Sequence, residues 1–136
     1  MKTSVTILNK LSRYDSDDTL DKWFKFSIDN LEYSRKSVTY TMGSTISMGE
    51  KFIILFPFSD KFLPYKEWKK LEDKTGYYTI SLGDYIVVGE DVPQEVNSAN
   101  IIQIKQLYEP NVCEVKAIIE AKNNGLANYR FRVEGV

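Results

Sequence analysis

The longest apolar run in the chain extends from Phe52 to Phe58 and is interrupted only by Pro57. With Lys51 in front it reads Lys-Phe-Ile-Ile-Leu-Phe-Pro-Phe. Its near-continuous apolar character predicts a strand covered on both faces. Pro57 lacks a ladder donor, so it ends the strand or places its end at an edge. The run falls far short of the ~20 residues that a membrane-spanning helix needs.

Shorter alternating stretches surround it. Val5, Ile7 and, more loosely, Asn9 face one way and Thr6 and Leu8 the other, which predicts a strand over residues 3–9. A polar, turn-rich segment, Leu11 to Thr19, follows. Trp23, Lys25 and Ser27 then alternate with Phe24, Phe26 and Ile28, a half-buried strand. Asp29-Asn30 marks a bend, past which Leu31 to Ser34 continues the strand beyond a bulge. Arg35 to Gly49 has β propensity at Ser37 to Thr41 but no stable period from Gly43 onward. It reads as an extended loop, or as a hairpin standing off the core; a long loop in a compact domain is usually functional or disordered.

Pro64 opens a predicted helix over residues 65–73, with Trp68 and Leu71 on one face and Gly76 as the stop. Tyr77 to Ile80 and Tyr85 to Val88 read as strands around the turn Ser81-Leu82-Gly83-Asp84. Glu90 to Ala99 is a polar loop holding Pro93, and Asn100 to Tyr108 favours one or two helical turns over a strand. Val112 to Ala121 and Asn128 to Val133 read as strands flanking Asn124-Gly125, a hairpin signal. The sum is about seven or eight short strands without βαβ spacing, hence a mainly β chain. The expectation is one domain over residues 1–136: a small antiparallel β-barrel or sandwich with one or two short helices and a projection at about 35–49.

Catalytic chemistry finds little to use. The chain has no histidine, the commonest general base and a common metal ligand. Its one cysteine, Cys113, excludes an internal disulfide and a thiolate zinc site. In its alternating stretch it reads as a small half-buried residue. The glycines make neither a phosphate-binding loop nor a dinucleotide fingerprint. Asp15, Asp17, Asp18 and Asp21 are the best metal candidates, but no glycine follows at the sixth loop position and Phe26 stands where a calcium-loop glutamate belongs. A solvated turn is the simpler reading, and neither metal nor cofactor is expected. Eighteen Lys and Arg balance 19 Asp and Glu, a net charge of −1, which gives no long-range pull toward nucleic acid. The only basic patch is Lys66, Lys69, Lys70 and Lys74, on the helix that carries Trp68. The N-terminus opens into a strand pattern without a signal-peptide core, so synthesis and folding in the cytoplasm are expected.

In order, three motifs resemble small structural proteins of phages and prophages of Gram-positive bacteria. They are the strand and turn from Val5 to Trp23, the strand from Lys51 to Phe58 with the helix to Tyr77, and Leu82-Gly-Asp-Tyr-Ile-Val-Val-Gly-Glu90. The order of elements is also similar to head-closure (stopper) proteins of long-tailed phages. None of these motifs is a catalytic signature. The resemblance implies a non-enzymatic virion protein of the head–tail neck. Such proteins are small β-barrels in a homo-oligomeric ring, usually twelve-fold, with portal and adaptor proteins above and tail-terminator or tail proteins below. They seal the DNA channel and need no membrane.

In that family a loop between early strands projects into the channel. The matching segment here is residues 35–49, with Arg35, Lys36, Tyr40, Met42, Gly43, Met48 and Gly49 as candidate channel residues. Folded back on itself, it reaches roughly 20–25 Å at about 3.3 Å per residue. Gly43 and Gly49 offer hinges, Met42 and Met48 offer soft contacts, and contact with packaged DNA is possible. Trp68, Tyr77 and Tyr78 are candidate interface aromatics, although Trp68 also reads as the residue that packs its helix onto the sheet. Other readings are a minor capsid, tail-completion or tail-terminator subunit, and a small β-barrel nucleic-acid-binding module.

Overall fold

A computed structural model describes residues 2–16, 19–43, 45–89, 91–93, 95–121 and 129–136. The chain is mainly β, with a closed barrel of six antiparallel strands and three short helices among the described residues. The strands are β1 (Lys2–Leu11), β2 (Lys22–Met42), β3 (Thr45–Phe56), β4 (Tyr85–Val88), β5 (Val96–Asn97), β6 (Val112–Glu120) and β7 (Phe131–Gly135). The helices are α1 (Arg13–Ser16), α2 (Tyr65–Trp68) and α3 (Ile101–Tyr108). The wall runs β1-β4-β6-β7-β3-β2 and closes by pairing β2 with β1; the two-residue β5 adds to β2 at Lys22 and Trp23. Closure leaves the wall itself without an edge.

All six wall strands contribute to one interior. Val5, Ile7, Leu31, Ile54, Phe56, Ile86, Val115 and Val133 are buried there, joined by Phe26 and Ile28. The bend expected at Asp29-Asn30 is a bulge: Thr3 pairs with Leu31 but Val5 with Ile28, so β2 carries the extra residue. Asn30 takes it up at φ +62°, a conformation asparagine tolerates better than most side chains. β3 ends at Phe56, immediately before Pro57.

A second cluster lies outside the wall. Leu8 and Val87 point outward from β1 and β4 and are covered by Val92, Val96, Ile104 and Tyr108. The helical reading of residues 100–108 therefore holds, and α3 is an amphipathic lid over this part of the wall. The polar loop of residues 90–99 differs from expectation. It carries two fully or nearly fully buried valines, Val92 and Val96, and a short strand, because the outer face of β1 and β4 has to be kept from water.

Two further expectations are corrected between β3 and β4. The helix predicted over 65–73 is a single turn. Past Trp68 the backbone tightens, with the Lys70 and Leu71 N–H groups bonding three residues back, and the Lys74 ammonium takes the Lys69 and Leu71 carbonyls. Tyr77 to Ile80 is not a strand; only Tyr78 makes an isolated bridge, to Phe62. Its ring stacks against Phe26, Phe56 and Phe62 at 5.0–6.1 Å between centroids and plugs the barrel interior. The turn expected at residues 123–125 lies outside the described residues, although its flanking strands β6 and β7 do pair antiparallel.

Candidate functional site

The undecided segment around residues 35–49 is the far half of a β-hairpin. β2 and β3 pair without a register shift from Glu32↔Leu55 to Met42↔Thr45. β1 leaves β2 at Glu32, and β7 leaves β3 at Phe52. Beyond those points, among the described residues, 36–42 and 45–51 pair only with each other. They form a two-stranded arm that reaches ~20 Å past the wall at about 3.3 Å per residue. Gly43 turns the tip at φ +63°, where a Cβ would be strained. Gly49, expected as a second hinge, sits inside the ladder opposite Val38. The backbones of Tyr40, Met42 and Met48 lie in the arm strands, and the contacts expected of the two methionine side chains fall outside what is described.

Arg35 and Lys36 part company. Lys36 is exposed at the start of the arm. Arg35 is tied to the barrel mouth. Its guanidinium stacks on the Phe52 ring 4.5 Å from the centroid, bonds the Asn111 side-chain oxygen, and lies 3.7 Å from the Glu50 carboxylate. Beside it, Lys51 pairs with Glu134 of β7. Arg35 is therefore an anchor at the arm's base and not part of the projection, because the ring of Phe52 offers it a face and Asn111 an acceptor.

The expected interface aromatics divide in the same way. Trp68 and Tyr78 are 0% and 2% exposed, so both are core residues and neither presents a surface. Trp68 is enclosed by Phe24, Tyr65 and the Lys74 ammonium. Tyr77, at 38% exposure, remains available for contact.

The residues weighed for chemistry are engaged elsewhere. Asp15 accepts the Tyr65 hydroxyl at 2.6 Å and faces Lys69 at 3.6 Å. The Tyr65 bond holds its carboxyl below the usual range, while burial pushes the Tyr65 hydroxyl up to about 12. Asp21 accepts the Arg13 N–H and sits 3.9 Å from Lys10. Asp17 and Asp18 lie outside the described residues. Among the described residues no group of three or more acidic or cysteine side chains is placed to hold a metal. Lys69 and Lys74 are drawn into contacts with Asp15, carbonyls and aromatic rings, which leaves Lys66 and Lys70 as the exposed part of the basic patch. Cys113 is deeper than expected: it is buried in the barrel, and the loss of hydration pushes its thiol up to about 12.

One polar cluster had no sequence signal. The Asp84 carboxylate is fully buried and accepts from the Asn9 side chain at 2.9 Å and from the Lys10 and Ser81 N–H groups at 2.8 Å each. Burial, working against these donors, raises its pKa to about 7. The cluster fastens β1 to the turn before β4, and its members are enclosed rather than open to a ligand. The exposed, unpaired backbone of the arm is thus the feature best placed to act on another molecule.

Among curated proteins and among solved structures, nothing matches the chain. Over its whole length, residues 1–136, it matches the model of a family of unknown function (DUF6751), and it belongs to that family.

Proposed function

We propose that the protein is a non-catalytic structural subunit of a tailed-phage neck, a ring-forming head-closure component that joins head to tail and seals the DNA channel. The observation that carries this reading is the arm: a closed barrel with a two-stranded projection of ~20 Å at the position where the resembling stopper proteins carry their channel loop. The barrel is a rigid body that packs beside copies of itself, and the arm extends from it toward the ring axis. Portal and adaptor proteins above and tail-terminator or tail proteins below are its neighbours. Residues 37–48 carry no charge, so the arm would obstruct DNA by its bulk rather than hold it by phosphate pairing. The engagement of the described acidic groups and Cys113 in core and surface bonds favours assembly over catalysis.

Particle density tests this directly. The expected result is a ring of these barrels between portal and tail with the arms directed inward. A position on the capsid shell would make it a minor capsid protein, and one at the top of the tail tube a terminator; either would reject head closure.

A further inference from the structure

We infer that arms of neighbouring copies pair edge to edge, the free edge of β2 in one copy lying on the free edge of β3 in the next. The inference rests on the ring-forming reading above and names the arm's partner: a second copy of this chain.

The first ground is the backbone. In a two-stranded antiparallel ladder only alternate residues of each strand bond across it, and the other N–H and C=O groups point outward. On β2 these outward groups run from Tyr33 to Met42, beyond the last β1 partner. On β3 they run from Thr45 to Lys51, before the first β7 partner. Two strands alone make a marginally stable structure in water, and a third and fourth strand stabilise it.

The second ground is the lack of any protection. Exposed edges are usually blunted by charge, proline or a bulge. From Ser37 to Met48 there is no charged residue and no proline, and the ladder runs without a register shift. The same chain closes its barrel completely and covers the outer face of β1 and β4. An arm left open in such a fold is built to be paired.

The third ground selects the occupant. The two free edges belong to antiparallel neighbours. Setting β2 of one copy on β3 of the next continues the same antiparallel alternation around a ring, and every copy uses both edges. A foreign strand on one edge would leave the other open. Head-to-tail contacts of this kind close into rings, and a ring of hairpins has no edge left. Because residues 37–48 are uncharged, no register brings like charges together along them, while the Thr, Tyr, Val and Ile content favours cross-strand pairs.

The test uses the full chain and a shortened form in which residues 37–48 are replaced by Asn-Gly between Lys36 and Gly49. The barrel does not use these residues, so the shortened form should keep the melting temperature of the full chain. Sedimentation of the full chain should show concentration-dependent association that the shortened form loses. Thr39→Lys and Ser47→Lys, which put charge on the two edges, should each lose it too. Hydrogen exchange should show alternate amides of residues 37–48 becoming protected on association. In a Cys113→Ala background, mixing Thr39→Cys protein with Ser47→Cys protein should give the mixed disulfide in excess of either symmetric one. A full chain that stays monomeric at millimolar concentration overturns the inference, as does association undiminished in the shortened form or an excess of the symmetric Thr39→Cys disulfide. Arm-dependent association of a protein that particle density places outside the neck would sink the connector reading alone. A neck ring that still assembles without the arm would sink the pairing alone.

Discussion

The side-chain amide of Asn9 stands in for a strand beside Thr79: its oxygen accepts the Thr79 N–H at 3.1 Å and its nitrogen donates to the Thr79 carbonyl. Both residues are buried, so the backbone of Thr79 has no water to turn to. Asn9→Ala should lower unfolding free energy by about 3 kcal/mol, since a buried donor and acceptor lose their partners together. Asn9→Asp should cost more, because it sets an oxygen against the Thr79 carbonyl and the Asp84 carboxylate. Urea unfolding of the two variants checks the order.

Asp84 predicts a pH dependence near neutrality. Its folded pKa is raised to about 7 by burial, so the folded state holds the proton more tightly than the unfolded chain. The stability this contributes is complete below the ordinary carboxylate value and is lost as pH rises through about 7. The urea midpoint should therefore fall between pH 5 and 8, a window in which the chain has no histidine to confuse the reading. Asp84→Asn should be less stable than the parent at pH 5, because its amide faces the Asn9 and Ser81 donors, and should lose the slope. A parent midpoint that is flat across the window would contradict the assignment.

Gly135 is fixed by a close approach. A Cβ there would lie 2.5 Å from the Cys113 sulfur and 3.0 Å from the Glu114 carbonyl. Gly135→Ala should destabilise by about 1–3 kcal/mol, as overpacking does in a filled core. Cys113→Ala in the same chain should recover part of that loss, and the non-additivity in a double-mutant cycle measures the contact.

Arg35 joins the arm's base to the barrel through Phe52, Asn111 and Glu50. Arg35→Ala should cost about 1–2 kcal/mol from a charge-assisted bond and a ring contact. It should also speed amide exchange at Glu50 and Lys51 more than inside the barrel. Arg35→Lys should recover little, since an ammonium does not stack flat on the ring while reaching Asn111. Equal exchange at the base in parent and variant would remove the anchor role.

The wall strands were legible because burial leaves a periodic trace. Phe26 and Ile28 alternate with Lys25 and Ser27, and Phe52 to Phe56 is apolar enough to mark a strand covered on both sides. The bend at Asn30 was legible from its residue type. The arm was half-legible: its β propensity was visible, but with no core on either side it has no alternation by which to fix a strand. The segment around Thr79 was misread because its partner is a side chain far away in sequence, and no local pattern records that. Trp68 and Tyr78 were placed at an interface on aromatic character alone, which cannot tell a surface ring from one enclosed by a loop. The valines of residues 92 and 96 were lost among polar neighbours because each covers β1 and β4 as a single contact rather than as part of a period.

The spacing of the strand pairs also sets an order of events in a newly made chain. Met42↔Thr45 joins near neighbours, whereas Val5↔Val88 and Ile54↔Val133 join distant parts of the sequence. Distant pairs have to overcome chain entropy before they return any stabilisation, so the β2–β3 hairpin zips early and the cylinder seals late. The segment that meets its siblings is then also the place where each copy begins to fold. A branched residue at Gly43, forced into a left-handed backbone, would first show itself in stopped-flow refolding as a slower rate.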